Sequence, residues 1–219
     1  MRKLLLLRPE PGLSASAARA RTLGLEVICS PLFEVEPVDW AAPDTARFDG
    51  LLLTSANAVR HGGEGLEQLR SLPVHAVGEA TAAAAREAGF NVATVGSGDV
   101  IALLARLPQQ IRLLHLAGED HRSTAEARIE RRIAYRSAAI ADPRLPPLEG
   151  LVVAVHSPRA AARLAELATS RGRTAVAAIS RVAAGACGEG WERIEAAEAP
   201  DDNSLLALAA SLCHTSPPE

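Results

Sequence analysis

Twice in this chain an apolar run ends in small polar residues that open directly onto a helical segment. Leu51-Leu52-Leu53 passes into Thr54-Ser55-Ala56-Asn57-Ala58-Val59-Arg60, and Leu151-Val152-Val153-Ala154-Val155 passes into His156-Ser157-Pro158. An apolar run of that length reads as a buried strand. The Thr, Ser and Asn that follow are helix-opening residues. Aligning Ser55 with Ser157 also lays Ala76-Val77-Gly78-Glu79-Ala80-Thr81-Ala82-Ala83 on Ala178-Ile179-Ser180-Arg181-Val182-Ala183-Ala184-Gly185 without a gap. Generic α/β periodicity in an alanine-rich chain is the plain alternative. Two strand–turn–helix units at one spacing favour a repeated architecture. Strands alternating with helices require parallel sheets covered on both faces.

The pattern predicts strands near 4–7, 26–30, 50–53, 74–77, 92–95, 111–116, 151–155 and 175–179. It predicts helices near 14–23, 56–69, 80–88, 100–107, 124–131, 160–169, 182–187 and 205–213. That is too many strands for one comfortable sheet. The stretches 32–38 and 133–140 alternate apolar and polar residues, as exposed strands do, and they bracket the middle of the chain. The simplest topology begins one domain, crosses into a second, completes it and returns. The expected boundaries are 1–34 plus 145–219 for a discontinuous first domain and 42–132 for the second. A two-stranded connector is expected from 35–41 and 133–144, with the return ending in the linker Asp142-Pro143-Arg144-Leu145-Pro146-Pro147.

Charge and composition exclude several partners. A formal charge of −3 and 3% aromatic residues give neither the basic surface nor the stacking platforms of a nucleic-acid binder. Lys3 is the only lysine among 23 Lys and Arg residues. Arginine forks suit carboxylates and phosphates, although compositional bias accounts for most of them. Cys29, Cys187 and Cys213 form no CxxC or His/Cys pattern, so reduced thiols and a cytoplasmic setting are expected. Leu4 to Leu7 is too short for the apolar segment of a signal peptide and reads as a first buried strand. No stretch has the length of a membrane span, and residues 215–219 are expected to be disordered.

The sequence fails most catalytic templates, having no G-x-S-x-G, Walker loop or G-x-G-x-x-G. Gly96-Ser97-Gly98-Asp99 reads as a turn with Asp99 as a helix cap. His115, Glu119 and His121 lack the helical spacing of a metal site and read as solvated loop residues, so no metal is expected. What remains is a set of small polar groups where strands meet helices: Thr54, Ser55, Gly78, Thr81, Gly118, Ser157 and Ser180. Helix capping explains any one of them. A repeated ring of them facing a cleft would bind a ligand with several carboxylates through backbone N–H groups. Tyr135, the only tyrosine, falls on the connector, where a phenol serves packing or proton donation.

At these residues the chain resembles the uroporphyrinogen-III synthase family over nearly its whole length. The likeness runs through Leu7-Arg8-Pro9, Leu53 to Val59, Ala76 to Ala82, Ala117-Gly118, Ala134-Tyr135-Arg136, His156-Ser157-Pro158 and Ala178-Ile179. The resemblance implies an α/β, HemD-like fold: two doubly wound parallel-sheet domains joined by a two-stranded β connector, with the site in the cleft. It implies a cofactor-free lyase that closes hydroxymethylbilane, a linear tetrapyrrole with eight carboxylates, to uroporphyrinogen III, inverting ring D and losing water. The bilane cyclises without an enzyme to the uninverted isomer, so such an enzyme works chiefly by positioning rings A and D for a spirocyclic intermediate.

By the same resemblance, backbone N–H groups near Ser55, Ala56, Gly78, Glu79, Ser157 and Arg159 hold the acetate and propionate arms. Arg8, Thr54, Thr81, Gly118 and Ser180 complete the substrate contacts, and Tyr135 assists departure of the hydroxyl. Many relatives carry Gly-Pro-Thr-Thr where this chain has Ser180-Arg181-Val182-Ala183, which makes Arg181 a substitute carboxylate partner or a solvent-facing residue. A monomer without nucleic-acid or membrane partners is expected, with the upstream bilane-forming enzyme as a possible neighbour. Two other readings are a non-catalytic relative that binds a tetrapyrrole or polycarboxylate and a periplasmic-type binding protein, against which the missing signal peptide argues.

Overall fold

The computed structural model describes residues 1–97, 99–120 and 126–215. In chain order the strands are β1 (Leu4–Leu6), β2 (Val27–Cys29), β3 (Phe33–Pro37), β4 (Gly50–Leu53), β5 (Val74–Val77), β6 (Val92–Gly96), β7 (Leu113–Gly118), β8 (Ile129–Ala139), β9 (Val152–Val155), β10 (Ala175–Ala178) and β11 (Arg193–Ala196). The helices are α1 (Gly12–Thr22), α2 (Asn57–Arg60), α3 (Glu79–Glu87), α4 (Val100–Ala105), α5 (Pro158–Leu167), α6 (Arg181–Ala186) and α7 (Asp202–His214). The chain divides into two compact units, Met1–Glu34 with Ala139–Glu219, and Val35–Ala138.

In the first unit five parallel strands lie in the order β11-β10-β9-β1-β2. The chain winds outward from β1 to β2, and on its return winds the other way from β9 to β11. The reversal falls between β1 and β9, and open α/β sheets bind ligands at the carboxyl ends of the strands beside such a reversal. Side chains alternate across the sheet, as period two demands. Leu4, Leu6, Val152, Ala154, Ala175 and Ala177 pack on one face with Leu13 and Ala17 of α1 and Leu205 and Ala209 of α7. Leu5, Val153, Val155, Val176 and Ala178 pack on the other with Ala160 and Leu164 of α5 and Ala183 of α6. Burial on both faces explains why these strands read as continuous apolar runs.

The second unit is built on a sheet ordered β3-β8-β7-β4-β5-β6, in which β4 to β8 are mutually parallel. Its winding reverses between β4 and β7. Leu51, Leu53, Val74 and Ala76 meet Ala82 and Ala85 of α3, while Leu52 faces Leu103 and Leu104 of α4. The two crossing segments pair with each other: Val38 N–H donates to Ala134 O at 2.9 Å and Ile140 N–H to Leu32 O at 3.0 Å. One number rises as the other falls, so the pair is antiparallel. These strands are also the edge of the larger sheet, since the start of β8 pairs with β7.

Three expectations are corrected. The helix over 56–69 is only α2, followed by a 3-10 segment at Gly63–Leu69. Gly63 takes φ 62°, which ends an α-helix, and a Cβ at Gly62 would stand 2.5 Å from Ala58 O. The helix over 124–131 gives way to β8 from Ile129; residues 121–125, including His121, lie outside those described. The strand β11 was not expected, because Arg193-Ile194-Glu195-Ala196 has the charged pattern of a protected edge. The expected tail disorder, like Gly98 of the Gly96 turn, also lies outside the described residues apart from Thr215. Asp99 does cap α4, accepting from Ala102 N–H at 2.8 Å. Among the described residues no helix is long and apolar enough to cross a membrane.

Candidate functional site

The carboxyl edge of the second unit's sheet gathers eight of the expected residues. Thr54, Ser55 and Ala56 follow β4; Gly78, Glu79 and Thr81 link β5 to α3; Gly118 ends β7; and Tyr135 lies opposite Gly118 on β8. The register between β7 and β8 slips at Ala117/Gly118. Such a slip re-aims side chains, and the ring of Tyr135 comes over Gly118, whose missing Cβ would stand 2.6 Å from Tyr135 Cε2. Glu119 N–H holds Tyr135 O at 2.9 Å. The ring of His61 lies 6.4 Å from that of Tyr135, and burial, then Arg60, lowers its pKa from 6.5.

The polar side chains on this edge are partly spoken for. His115 is buried on β7 rather than solvated in a loop as expected, and Thr54 Oγ1 lies 3.1 Å from its Nε2, bridging β4 and β7. Ser55 Oγ accepts from Asn57 N–H at 3.2 Å, and Glu79 pairs with Arg86 at 2.6 Å. Gly78, at φ 82°, gives its own N–H to Gly96 O at 2.9 Å. It therefore serves as the left-handed corner that opens α3 rather than as a donor to ligand. The next amides begin a helix, where no intrahelical acceptor exists. Thr81 is buried in that first turn.

The matching edge of the first unit carries Arg8 just beyond β1, Ser157 and Arg159 beyond β9, and Ser180 and Arg181 beyond β10. Both serines cap helices: Ser157 Oγ accepts from Ala160 N–H at 3.1 Å and Ser180 Oγ from Ala183 N–H at 3.3 Å. The Arg159 guanidinium sits 4.5 Å from the Phe33 ring centroid. Arg181 is exposed. Between β1 and β9, at the winding reversal, Arg8 joins four residues that the sequence did not single out as ligands. Asp202 Oδ1 accepts from Ser16 Oγ at 2.7 Å, His156 Nε2 at 2.9 Å and Arg8 Nη1 at 3.1 Å, while Oδ2 accepts from Arg19 at 2.6 Å.

Burial opposes ionisation of Asp202, but hydrogen bonds from Ser16, His156 and Arg19 outweigh it and hold its pKa at about 2. Burial, then the Arg8 charge, lowers His156 to about 4 against the pull of Asp202. At neutral pH the histidine is uncharged and Nε2 carries the proton shared with the carboxylate.

A family model described as uroporphyrinogen-III synthase HemD matches residues 14–207. The chain belongs to the uroporphyrinogen-III synthase family. Membership makes it a cyclising lyase of haem biosynthesis that acts on a small-molecule substrate. The uroporphyrinogen-III synthetase of Helicobacter pylori 26695 has the same fold: TM-score 0.68 at 18% identity, covering 97% of this chain and 100% of that one. A mutant uroporphyrinogen III synthase of the extremely thermophilic bacterium Thermus thermophilus aligns at 20% identity over 96% of this chain and 98% of that one, with a TM-score of 0.49. No curated protein matches the sequence.

Among the described residues no three potential ligands cluster as a metal site. Of the residues that sequence reasoning missed, His156 carried one signal. It is the first residue past the apolar run of β9, much as Arg8 stands just past the run of β1. Asp202 and Arg19 carry no such mark, and Ser16 falls on the core-facing stripe of α1 with Leu13, Ala17 and Ala20, where a lone serine reads as packing.

Proposed function

We propose that this chain converts hydroxymethylbilane to uroporphyrinogen III, inverting ring D and releasing water. The observation that carries the reading is the family match over residues 14–207, taken with the polar strand ends on both sheets. The substrate loses hydroxide easily and closes wrongly by itself. The protein's task is to bring the substituted carbon of ring D, rather than the free one, against the ring A carbon left by hydroxide. Effective positioning alone lowers such a barrier substantially. The spirocyclic product of that attack then fragments and recloses with ring D turned.

In this reading Tyr135 donates to the departing hydroxyl, which leaves as water. Gly118 keeps the space its ring occupies. Backbone amides at Ser55, Ala56, Glu79, Ser157 and Arg159 hold carboxylate arms, with Thr54 and Thr81 lining the edge. Ser180 and Gly78 act by shaping the strand-to-helix corners, and Arg181 offers an exposed charge. The protein acts as a cytoplasmic monomer that takes the bilane from the enzyme preceding it. The test couples the protein to hydroxymethylbilane production and resolves the isomers after oxidation. Type III in excess supports the reading; type I alone overturns it.

A further inference from the structure

Asp202 is one carboxylate shared by two guanidiniums. Arg8 and Arg19 both bind it, and among the described residues neither arginine pairs with a second acid. With His156 uncharged, the cluster keeps a surplus positive charge at the winding reversal. The cluster is built rather than incidental: Ser16 is fully buried, and the side chains of His156 and Asp202 are 8% and 15% exposed. Arg8 is anchored through one nitrogen only. Its Nη1 donates to Ser16 Oγ at 2.9 Å and to Asp202, while Nε and Nη2 meet no described acceptor. The side chain is 29% exposed. The Nε–Nη2 edge lies against Gly12 at the start of α1, where a Cβ would crowd Nε and stand 2.5 Å from Nη2, so that edge depends on the bare glycine for its space.

We propose that Asp202 is a positioning residue that, with Ser16, holds Arg8 by Nη1 so that Nε and Nη2 form a two-donor receptor for one substrate carboxylate. A guanidinium fixed in one orientation loses less freedom when it binds a carboxylate through two parallel bonds. Arg19 offsets the charge of Asp202, so that the anchor does not cancel the receptor. The proposal rests on the uroporphyrinogen-III synthase reading for its substrate, though not for its geometry.

The test is a double-mutant cycle on the full chain with Arg8→Gln and Asp202→Asn. It reads KM and kcat for hydroxymethylbilane and, separately, binding of the stable octacarboxylate uroporphyrin III. Each single change should raise KM and weaken uroporphyrin III binding about tenfold, with kcat within about twofold. The double variant should be no worse than Arg8→Gln, since Asp202 acts through Arg8. Gly12→Ala should displace the guanidinium and raise KM, with a lower thermal midpoint because Arg8 then leaves Asp202 and Ser16. Independent, multiplying effects, or a loss of stability on Asp202→Asn with KM and binding unmoved, overturn the proposal. A wild-type protein that binds uroporphyrin III yet forms only type I product overturns the function instead. The binding cycle then still decides the receptor.

Discussion

The ring of Tyr135 rests on the bare α-carbon of Gly118. A Cβ at Gly118 would stand 2.7 Å from Tyr135 Cζ and 3.0 Å from its hydroxyl oxygen. The two residues face each other across the β7–β8 pair at the point where the register slips. Phenylalanine at position 135 keeps that packing and removes only the hydroxyl. Tyr135→Phe should slow formation of the type III isomer roughly a hundredfold, the scale of a lost general acid. The thermal midpoint should stay within about a degree. Gly118→Ala should lower both rate and stability, the latter by about 1–3 kcal/mol, because the ring must leave its seat. Isomer analysis alongside thermal unfolding separates the two; an unchanged rate in Tyr135→Phe removes the hydroxyl from the mechanism.

Which parts of this were legible beforehand follows from what a local pattern can carry. Leu51 to Leu53 and Val152 to Val155 are buried on both faces, so each announces a strand by itself, and the polar residues after it announce the edge. Strand β11 is half-exposed at the sheet margin, and its single Ile194 between charges carries no periodic signal. The helix after Ser55 fails at two glycines that composition alone reads as tolerable. The Asp202 cluster joins residues 8, 16, 19, 156 and 202, whose meeting depends on the strand order β9-β1-β2 and the placing of α7. Long-range order of that kind is set by the whole core, not by any window of sequence.

His75 on β5 is 6% exposed, and among the described residues neither ring nitrogen has a hydrogen-bond partner. It packs beside Gly50, where a Cβ would stand 2.7 Å from His75 Nε2. A buried polar group left unpaired costs about 1–3 kcal/mol. Burial also lowers its pKa from 6.5. The unfolded chain then takes up the proton more readily, and stability falls as pH drops below 6.5. His75→Leu should raise stability by about 1 kcal/mol at pH 7.5. It should also reduce the loss on moving to pH 5.5. Urea unfolding at the two pH values measures both; a less stable variant at both would mean that the imidazole has a partner in solution.

The Asp202 cluster predicts two separate acid transitions. His156 is lowered from 6.5 to about 4, so its contribution is intact above pH 6.5 and is lost as pH falls towards 4. Asp202 is lowered from 3.8 to about 2, so its contribution is intact above pH 3.8 and is lost as pH falls towards 2. His156→Gln should cost stability at pH 7.5, because the donor to Asp202 is weakened. It should flatten the dependence between pH 6.5 and 4 while leaving the steeper fall below 3.8. Thermal midpoints in steps across pH 7.5 to 3 give the comparison. An unaltered slope between 6.5 and 4 assigns that transition to other histidines.

Ser157 decides between two roles that a serine at a strand end can play. Its Oγ already accepts from Ala160 N–H at 3.1 Å, as the cap of α5, with Pro158 at the first helical position. A hydroxyl oxygen engaged with the helix is poorly placed to hold a substrate carboxylate as well, whereas the backbone amides that follow it are not so limited. Ser157→Ala should therefore lower stability by about 1 kcal/mol, the usual value of a lost cap. KM for hydroxymethylbilane should change less than about twofold, since the amides stay in place. Ser157→Asp restores the capping oxygen but adds a negative charge. It should recover most of the stability and raise KM by repelling the carboxylate arm. Urea unfolding and steady-state kinetics on the two variants read the roles apart. A tenfold rise in KM for Ser157→Ala at undiminished stability would make the side chain, rather than the strand-to-helix corner, the ligand.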